Sequence, residues 1–322
     1  MNDKFDELAK GLAQSVTRRG ALRRFGVGLV GIALACSSAL AQQLSVWSAP
    51  VNLGPSINTE FSEFHPAISS DGLSLFFASD RPGGFGENDL WVAQRPNRTA
   101  EWGPALNLGQ SFNTGHGEFG PELSPDGHWL FFATAGLAGG NTSDVYAAFR
   151  NDTNNDFGWG QPLSLGKGVN SSHNGGGPTL FIDPTTGAVT LYFTRLNKPG
   201  QGNWDIYQSN LDTNGSFNDA IVVSELSSPS EDTHPTVRRD GLEIIFSSTR
   251  PGSIGGNDLW VSTRATTRDK WSPPVNLGPA INSEFFDGAP YLSDDGETLI
   301  FSSDRPGGFG SNDFYTSVRK KP

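Results

Sequence analysis

Short runs of apolar residues recur along the chain, as in residues 75–77 (LFF) and 299–301 (LIF). A strand with one buried face alternates apolar and polar residues, whereas consecutive apolar residues predict a short strand that is buried on both faces. Sheets stacked face to face bury a strand in this way. We therefore expect an all-β fold in which similar sheets pack against one another.

Five stretches share one pattern: HPAISSDGLSLFFAS, GPELSPDGHWLFFAT, GPTLFIDPTTGAVTLYFTR, HPTVRRDGLEIIFSS and APYLSDDGETLIFSS. In each stretch a proline stands five residues before an aspartate. In four of them glycine follows that aspartate, and Asp-Gly is typical of a hairpin turn. A phenylalanine on the next strand stands twelve residues before a second aspartate, in the pairs Phe77/Asp89, Phe132/Asp144, Phe193/Asp205, Phe246/Asp258 and Phe301/Asp313.

Each unit continues with two further apolar segments, so it is expected to form four short strands. Four-stranded units stacked into a closed ring are the blades of a β-propeller. The chain ends after a third strand, and a lone fourth strand stands near the N-terminus at about residues 46–53. We predict a five-bladed β-propeller with four antiparallel strands per blade, closed by that N-terminal strand completing the last blade. The blades are expected to start near residues 64, 119, 176, 233 and 288.

Residues 1–41 are typical of an export signal rather than of a folded element. They carry paired arginines at residues 18–24 (RRGALRR), an apolar stretch, and a small-x-small site at residues 39–41 (ALA). The pattern predicts a twin-arginine signal, with a Sec-type signal as the alternative. Lipidation at Cys36, the single cysteine, is a minor alternative. We expect residues 42–322 to form one domain that is periplasmic or secreted.

Charge limits the partners of the exported part. The full chain has a formal charge of −11, and removing residues 1–41 leaves 17 basic and 31 acidic residues, a charge of −14. Nucleic-acid binding depends on a basic surface that such a chain lacks. No stretch after residue 42 is apolar for long enough to span a membrane as a helix. The expected partners are an envelope or extracellular protein or a glycan, and the oligomeric state stays open.

The segments SSDGLSLFFASDRPGGFGENDLW and SDDGETLIFSSDRPGGFGSNDFY resemble the TolB-like, WD-repeat-like propeller repeat of bacterial envelope proteins. The resemblance covers essentially all of residues 42–322. It implies a propeller fold and a role in binding or assembly. Many members of that family have six or seven blades, whereas this sequence supplies five.

Acidic residues recur in the loops that lead into the first strand of each blade. Three residues before the proline that recurs in each blade stand Glu63, Glu118, Asp232 and Asp287, and in the third blade Gly175. Such carboxylates are expected either to ring the channel mouth, where they would hold a cation or sugar hydroxyls, or to accept backbone N–H groups. The sequence leaves both interpretations open.

Histidines and arginines cluster at the same end of the predicted ring. His65 and His234 directly precede their prolines, and Arg81, Arg250 and Arg305 occupy equivalent places in blades 1, 4 and 5. The arginines are expected to form an arc that either binds a carboxylate or sugar or makes ion pairs. The predicted ligand-binding residues are Glu63, His65, Arg81, Asp232, His234, Arg250, Asp287 and Arg305.

The expected function is that of an exported, non-catalytic scaffold that binds a protein or carbohydrate through the loops of one face. The alternative is a glycoside hydrolase-type enzyme that uses Glu63, Glu118, Asp232 and Asp287. Hydrolysis needs carboxyl groups in unlike environments, and equivalent positions predict similar ones, so we expect no enzyme. No cofactor is expected and no metal ligands are assigned, with a divalent cation at the channel mouth as an alternative.

Overall fold

A computed structural model of the protein describes residues 46–137, 139, 142–196 and 204–320. Within these ranges the chain forms β-strands and no helix that is long and apolar enough to cross a membrane. The strands are β1 Val51–Asn52, β2 Glu63–Ile68, β3 Ser74–Ser79, β4 Asp89–Gln94, β5 Leu106–Asn107, β6 Glu118–Leu123, β7 Trp129–Thr134, β8 Asp144–Phe149, β9 Leu163–Ser164, β10 Gly175–Ile182, β11 Val189–Leu196, β12 Trp204–Asn210, β13 Ile221–Val222, β14 Asp232–Val237, β15 Glu243–Ser248, β16 Asp258–Thr263, β17 Val275–Asn276, β18 Asp287–Leu292, β19 Thr298–Ser303 and β20 Asp313–Val318.

These strands form five antiparallel sheets of four strands each, which confirms the predicted five-bladed propeller. Blades 1 to 4 use consecutive strands: β2–β5, β6–β9, β10–β13 and β14–β17. Blade 5 has the order β18-β19-β20-β1, so its outer strand comes from the start of the described chain. The first strands begin one residue before the expected starts. The expected export signal at residues 1–41 lies outside the described residues and stays a prediction.

The N-terminal strand closes the ring as predicted. Val51 pairs with Thr316, and the backbone N–H of Ser48 donates to the carbonyl of Val318 at 2.8 Å. The paired strand β1 is shorter than the expected segment 46–53, but the residues before it still follow β20, and Trp47 is buried against blade 5. Closure gives blade 5 its fourth, outer strand and covers the edge of β20, on which other strands could otherwise aggregate.

The core lies between the blades, as the apolar runs predict. All six residues of β3 are buried, and the same holds for β7 and β15. Phe77 meets Phe314 of blade 5 edge-on, with ring centroids 5.7 Å apart, and Phe76 meets Trp159 of blade 2 at 6.2 Å. Burying one such side chain contributes about 2–3 kcal/mol before entropy is counted, so stacking of blades stabilises the ring.

The innermost strand of every blade carries a bulge at its third residue. The pairing of first and second strands shifts register there in all five blades. Proline follows each bulged residue and has no N–H for the strand ladder, which explains the break. The bulged residues all have positive φ: His65 (56°), Gly120 (59°), Gly177 (55°), His234 (51°) and Ala289 (49°). These bulges line the central channel and position the site described below.

Candidate functional site

The four carboxylates expected at the channel mouth are buried under their own loops. Glu63, the representative of blade 1, is completely buried. Its Oε2 accepts the backbone N–H of Thr59 at 3.0 Å, and its Oε1 accepts the Thr59 hydroxyl at 2.6 Å. The N–H of Glu63 donates to the carbonyl of Asn312 in blade 5 at 2.8 Å. The residue therefore closes its loop and ties two blades together.

The other three carboxylates repeat this arrangement. Each is completely buried and accepts a backbone N–H and a hydroxyl from the residue four positions earlier. The pairs are Glu118 with Thr114, Asp232 with Ser228, and Asp287 with Ser283. Burial raises the pKa of Glu63 and Glu118, and the hydrogen bonds from threonine oppose that rise. The geometry matches the structural interpretation of these acids, and ligand binding by them stays a prediction.

The predicted arginine arc is present as three inward-facing ion pairs. Arg81 contacts Glu63 at 2.8 Å, and its guanidinium also donates to the carbonyl of Ile57 at 2.7 Å. Its guanidinium carbon lies 4.8 Å from the centroid of the Phe77 ring. Arg250 pairs with Asp232 in the same way, and Arg305 pairs with Asp287. The guanidinium groups of these arginines thus donate most of their hydrogen bonds to groups within the protein.

His65 and His234 meet across the channel although they belong to blades 1 and 4. Their ring centroids lie 4.4 Å apart. Burial lowers the pKa of His234 to about 4, and burial together with the neighbouring imidazole lowers the pKa of His65 well below its usual value. The Nδ1 of His65 is buried and has no hydrogen-bond partner. The pair forms a neutral aromatic layer over the channel.

Below this layer the channel encloses a small cavity of about 30 Å³. That volume holds about one or two water molecules and no sugar ring. The third to fifth residues of the first strands line it: His65, Pro66, Gly120, Pro121, Glu122, Gly177, Pro178, Thr179, His234, Pro235, Thr236, Ala289, Pro290 and Tyr291.

Glu122 is the carboxyl group of this cavity, and the sequence analysis missed it. Burial raises its pKa to about 8, and the charge of Asp294 adds a smaller effect in the same direction. Its Oε1 accepts the hydroxyl of Thr179 at 3.2 Å and the N–H of Leu180 at 3.4 Å. At neutral pH Glu122 is therefore largely protonated and can donate a proton into the cavity.

The repeat register contained a signal for Glu122. It is the fifth residue of β6, where the other first strands carry Ala67, Thr179, Thr236 and Tyr291. The candidate acids Glu63, Glu118, Asp232 and Asp287 recur in four blades, whereas an acid occurs at this position in blade 2 alone. Tyr291 lies beside the cavity, its hydroxyl donates to the carbonyl of Ile68 at 3.3 Å, and burial raises its pKa.

The described residues place no metal site in the channel, and two further loop histidines lie away from it. Among the described residues, no group of three or more His, Cys, Asp or Glu side chains is placed to hold a metal ion. His116 is exposed on its loop, and His173 is half-buried. Neither of these two reaches the cavity.

Solved structures with a similar fold include carbohydrate-active enzymes. An endo-arabinase from Bacteroides thetaiotaomicron is similar with a TM-score of 0.57 and 16% identity over 86% of this chain and 98% of its own. An α-L-arabinofuranosidase from Lactobacillus brevis has a TM-score of 0.56 and 15% identity over 83% of this chain and 92% of its own. TolB from Acinetobacter baumannii has a TM-score of 0.50 and 14% identity over 86% of this chain and 64% of its own.

No family model and no curated protein matches the sequence. At these identities the structural likenesses establish the five-bladed propeller fold. They do not single out the TolB-like family, because TolB stands beside a GH43 protein and α-L-arabinofuranosidases, one of them of the GH62 group.

The comparisons correct the expected function. The expectation of a non-catalytic scaffold, and with it the expectation of no enzyme, is wrong: the similar structures are mainly glycoside hydrolases, which favours the alternative. Glu122, whose environment differs from that of the four repeated acids, stands outside the repeat on which that expectation depended.

Proposed function

We propose that this protein is a glycoside hydrolase-type enzyme whose general acid is Glu122. The observation that carries the proposal is a carboxyl group in the central channel whose pKa is raised to about 8. A glycosidase needs such a group, because the glycosidic oxygen must be protonated as the bond breaks. Similar folds in an endo-arabinase and in arabinofuranosidases support the choice of substrate class, with arabinose-containing glycans as the first candidates.

A second carboxyl group, Asp294, lies near Glu122 in a different setting. Asp294 is half exposed and forms an ion pair with Arg239, whereas Glu122 is half-buried beside the cavity and desolvation raises its pKa. Glycosidases use two carboxyl groups whose environments separate their roles, one as acid and one as base or nucleophile. We assign Asp294 the second role.

The cavity sets where the sugar would bind. With a volume of about 30 Å³ it admits water but not a sugar ring, so the substrate would lie across the channel end beside Glu122 and Asp294. A water molecule in the cavity would lie next to the proton donor.

The test is turnover of arabinan, arabinoxylan and levan by the purified protein and by Glu122→Gln. This change keeps the shape and removes the proton, so we expect kcat/KM to fall at least about a hundredfold. In the native protein kcat/KM should fall as pH rises through about 8, because the acid must be protonated. Glu101→Gln makes the same chemical change at an exposed position and serves as the control. Activity that survives Glu122→Gln, or no activity on any glycan, would refute the proposal.

We propose export through the twin-arginine route to the periplasm or beyond, supported by residues 18–24 and 39–41. The TolB-like repeat supports a shared origin with envelope propellers, and the partner would be a glycan of that compartment. No cofactor is needed for acid-assisted hydrolysis by two carboxyl groups.

A further inference from the structure

Three apolar side chains are exposed at the tips of equivalent loops between second and third strands. Phe85, Ile254 and Phe309 each stand four residues before the aspartate that opens the third strand. They are 45%, 44% and 49% exposed. Their blades, 1, 4 and 5, are neighbours in the closed ring, so the three residues form an apolar arc on one face.

The loops that carry the apolar arc are held in place. The backbone N–H of Phe85 donates to Asp89 Oδ2 at 2.7 Å, and Phe309 bonds to Asp313 in the same way at 2.7 Å. The next residue is glycine, and a Cβ on Gly310 would lie 2.1 Å from the carbonyl oxygen of Phe61 in the adjoining loop. The exposed rings therefore project from stiff supports, and binding to them costs little ordering entropy.

The surroundings of the apolar arc offer hydrogen-bond acceptors and no exposed cation. The loops that form it, residues 59–63, 80–89, 228–232, 249–258, 283–287 and 304–313, contain three basic residues, all arginines. Those arginines face inward to buried carboxylates. The exposed acids of these loops are Glu60, Asp80, Glu87, Glu231, Glu284 and Asp304.

We propose that the apolar arc and its exposed carboxylates bind an uncharged polysaccharide chain. Sugar rings pack their C–H faces on aromatic side chains and donate hydroxyl hydrogen bonds to carboxylates. The carboxylates repel polyanions, and no exposed cation in the loops offsets them. This surface is separate from the proposed catalytic site and takes from the proposed function only the substrate class. The arc lies on the face where β2, β14 and β18 begin, whereas Glu122 is the fifth of the six residues of β6, toward the opposite face.

The experiment is native gel electrophoresis of the purified protein with polysaccharide in the gel. Arabinan and arabinoxylan should slow migration, and polygalacturonate, a polyanion, should not. The double variant Phe85→Ser/Phe309→Ser should bind the neutral polymers at least about tenfold more weakly, because two ring contacts are lost. Val51→Ser/Val275→Ser removes two apolar side chains of similar exposure (62% and 51%) from outer strands and should migrate like the native protein. Melting temperatures confirm that each variant is folded.

The outcomes separate this inference from the proposed function. Glu122→Gln should lose turnover and keep its retardation. If no glycan is hydrolysed but retardation still depends on Phe85 and Phe309, the enzyme proposal fails and the binding surface stands. The inference would be overturned if neutral polysaccharide slowed the double variant as much as the native protein. It would also be overturned if, in parallel gels, polylysine alone and no neutral polysaccharide slowed the native protein.

Discussion

Equivalent residues of the five first strands share one backbone shape, and their side chains decide the chemistry of the channel. At the third position the strands carry two histidines, two glycines and one alanine, all with positive φ. At Gly177 a Cβ would lie 2.8 Å from the His234 ring, so a larger residue there would require that ring to move. The histidines adopt a conformation that side chains disfavour, and such strain persists only where the surroundings impose it. The channel is therefore built by residues that differ between blades.

The histidine pair makes stability depend on pH. Both pKa values are lowered in the folded protein, so the unfolded chain binds more protons below about pH 6.5. Stability is fully present above that pH and is lost as pH falls from about 6.5 towards 4, by up to about 1.4 kcal/mol per pH unit for each histidine. Glu122 acts in the opposite direction, because its pKa is raised in the folded protein, so we expect the histidine effect as a fall in melting temperature between pH 7.5 and 5 relative to a protein without the pair.

The comparison variant for this pH effect is His65→Asn/His234→Asn. Asparagine tolerates positive φ and does not titrate, so its melting temperature should change less between the two pH values. His116→Asn, at an exposed loop position, should keep the native pH dependence. An equal drop in all three proteins would contradict the assignment to the channel pair.

At the scale of elements, loops of adjacent blades contact one another through hydrogen bonds and close packing. The loop of residues 304–313 packs under the loop that leads into blade 1, and Glu63 bonds back to Asn312. The repeated aspartates Asp89, Asp258 and Asp313 each accept two backbone N–H groups of their loop, as expected for turn caps. The repeat motif therefore encodes contacts between blades as well as strands within them.

Gly310→Ala should expose this dependence. Its Cβ would lie 2.1 Å from the carbonyl oxygen of Phe61, so the loop or the neighbouring blade must move. We expect the free energy of unfolding, measured by urea denaturation, to fall by about 1–3 kcal/mol. Gly256→Ala, in the equivalent loop of blade 4 with no atom near its Cβ position, should cost little. Equal stability of the two variants would mean that the contact between loops is unimportant.

At the scale of the whole molecule, one strand decides whether the ring is closed. β1 covers β20, and Trp47 packs with the Arg319 guanidinium 4.4 Å from its ring. Without this segment blade 5 would have three strands and an open outer edge. The N-terminal segment therefore contributes to the free energy of unfolding by covering β20 and by burying Trp47.

A chain that begins at residue 54 should lose this closure. We expect a lower melting temperature and aggregation in size-exclusion chromatography, compared with a chain that begins at residue 42. The physical reason is the exposed edge of β20 together with the lost burial of Trp47. A monomeric, equally stable shortened chain would show that closure by β1 is dispensable.

The sequence by itself determined the number of blades, the strands of each blade and the closing role of the N-terminal segment. Those features depend on local periodicity and on spacings such as the twelve residues from Phe77 to Asp89, which the printed chain displays directly. The same spacings identified the candidate arginine and carboxylate residues. They did not show the direction in which those side chains face.

Only the tertiary structure decided that Glu63 and its equivalents turn inward and that Glu122 is the titrating acid of the channel. The pKa of Glu122 depends on desolvation by blades that are distant in sequence, and on contacts with Thr179 and Leu180 of the next blade. Likewise His65 and His234 become partners only when the ring brings blades 1 and 4 together. Burial and proximity of this kind arise from the closed ring, which is why the repeat pattern did not reveal them.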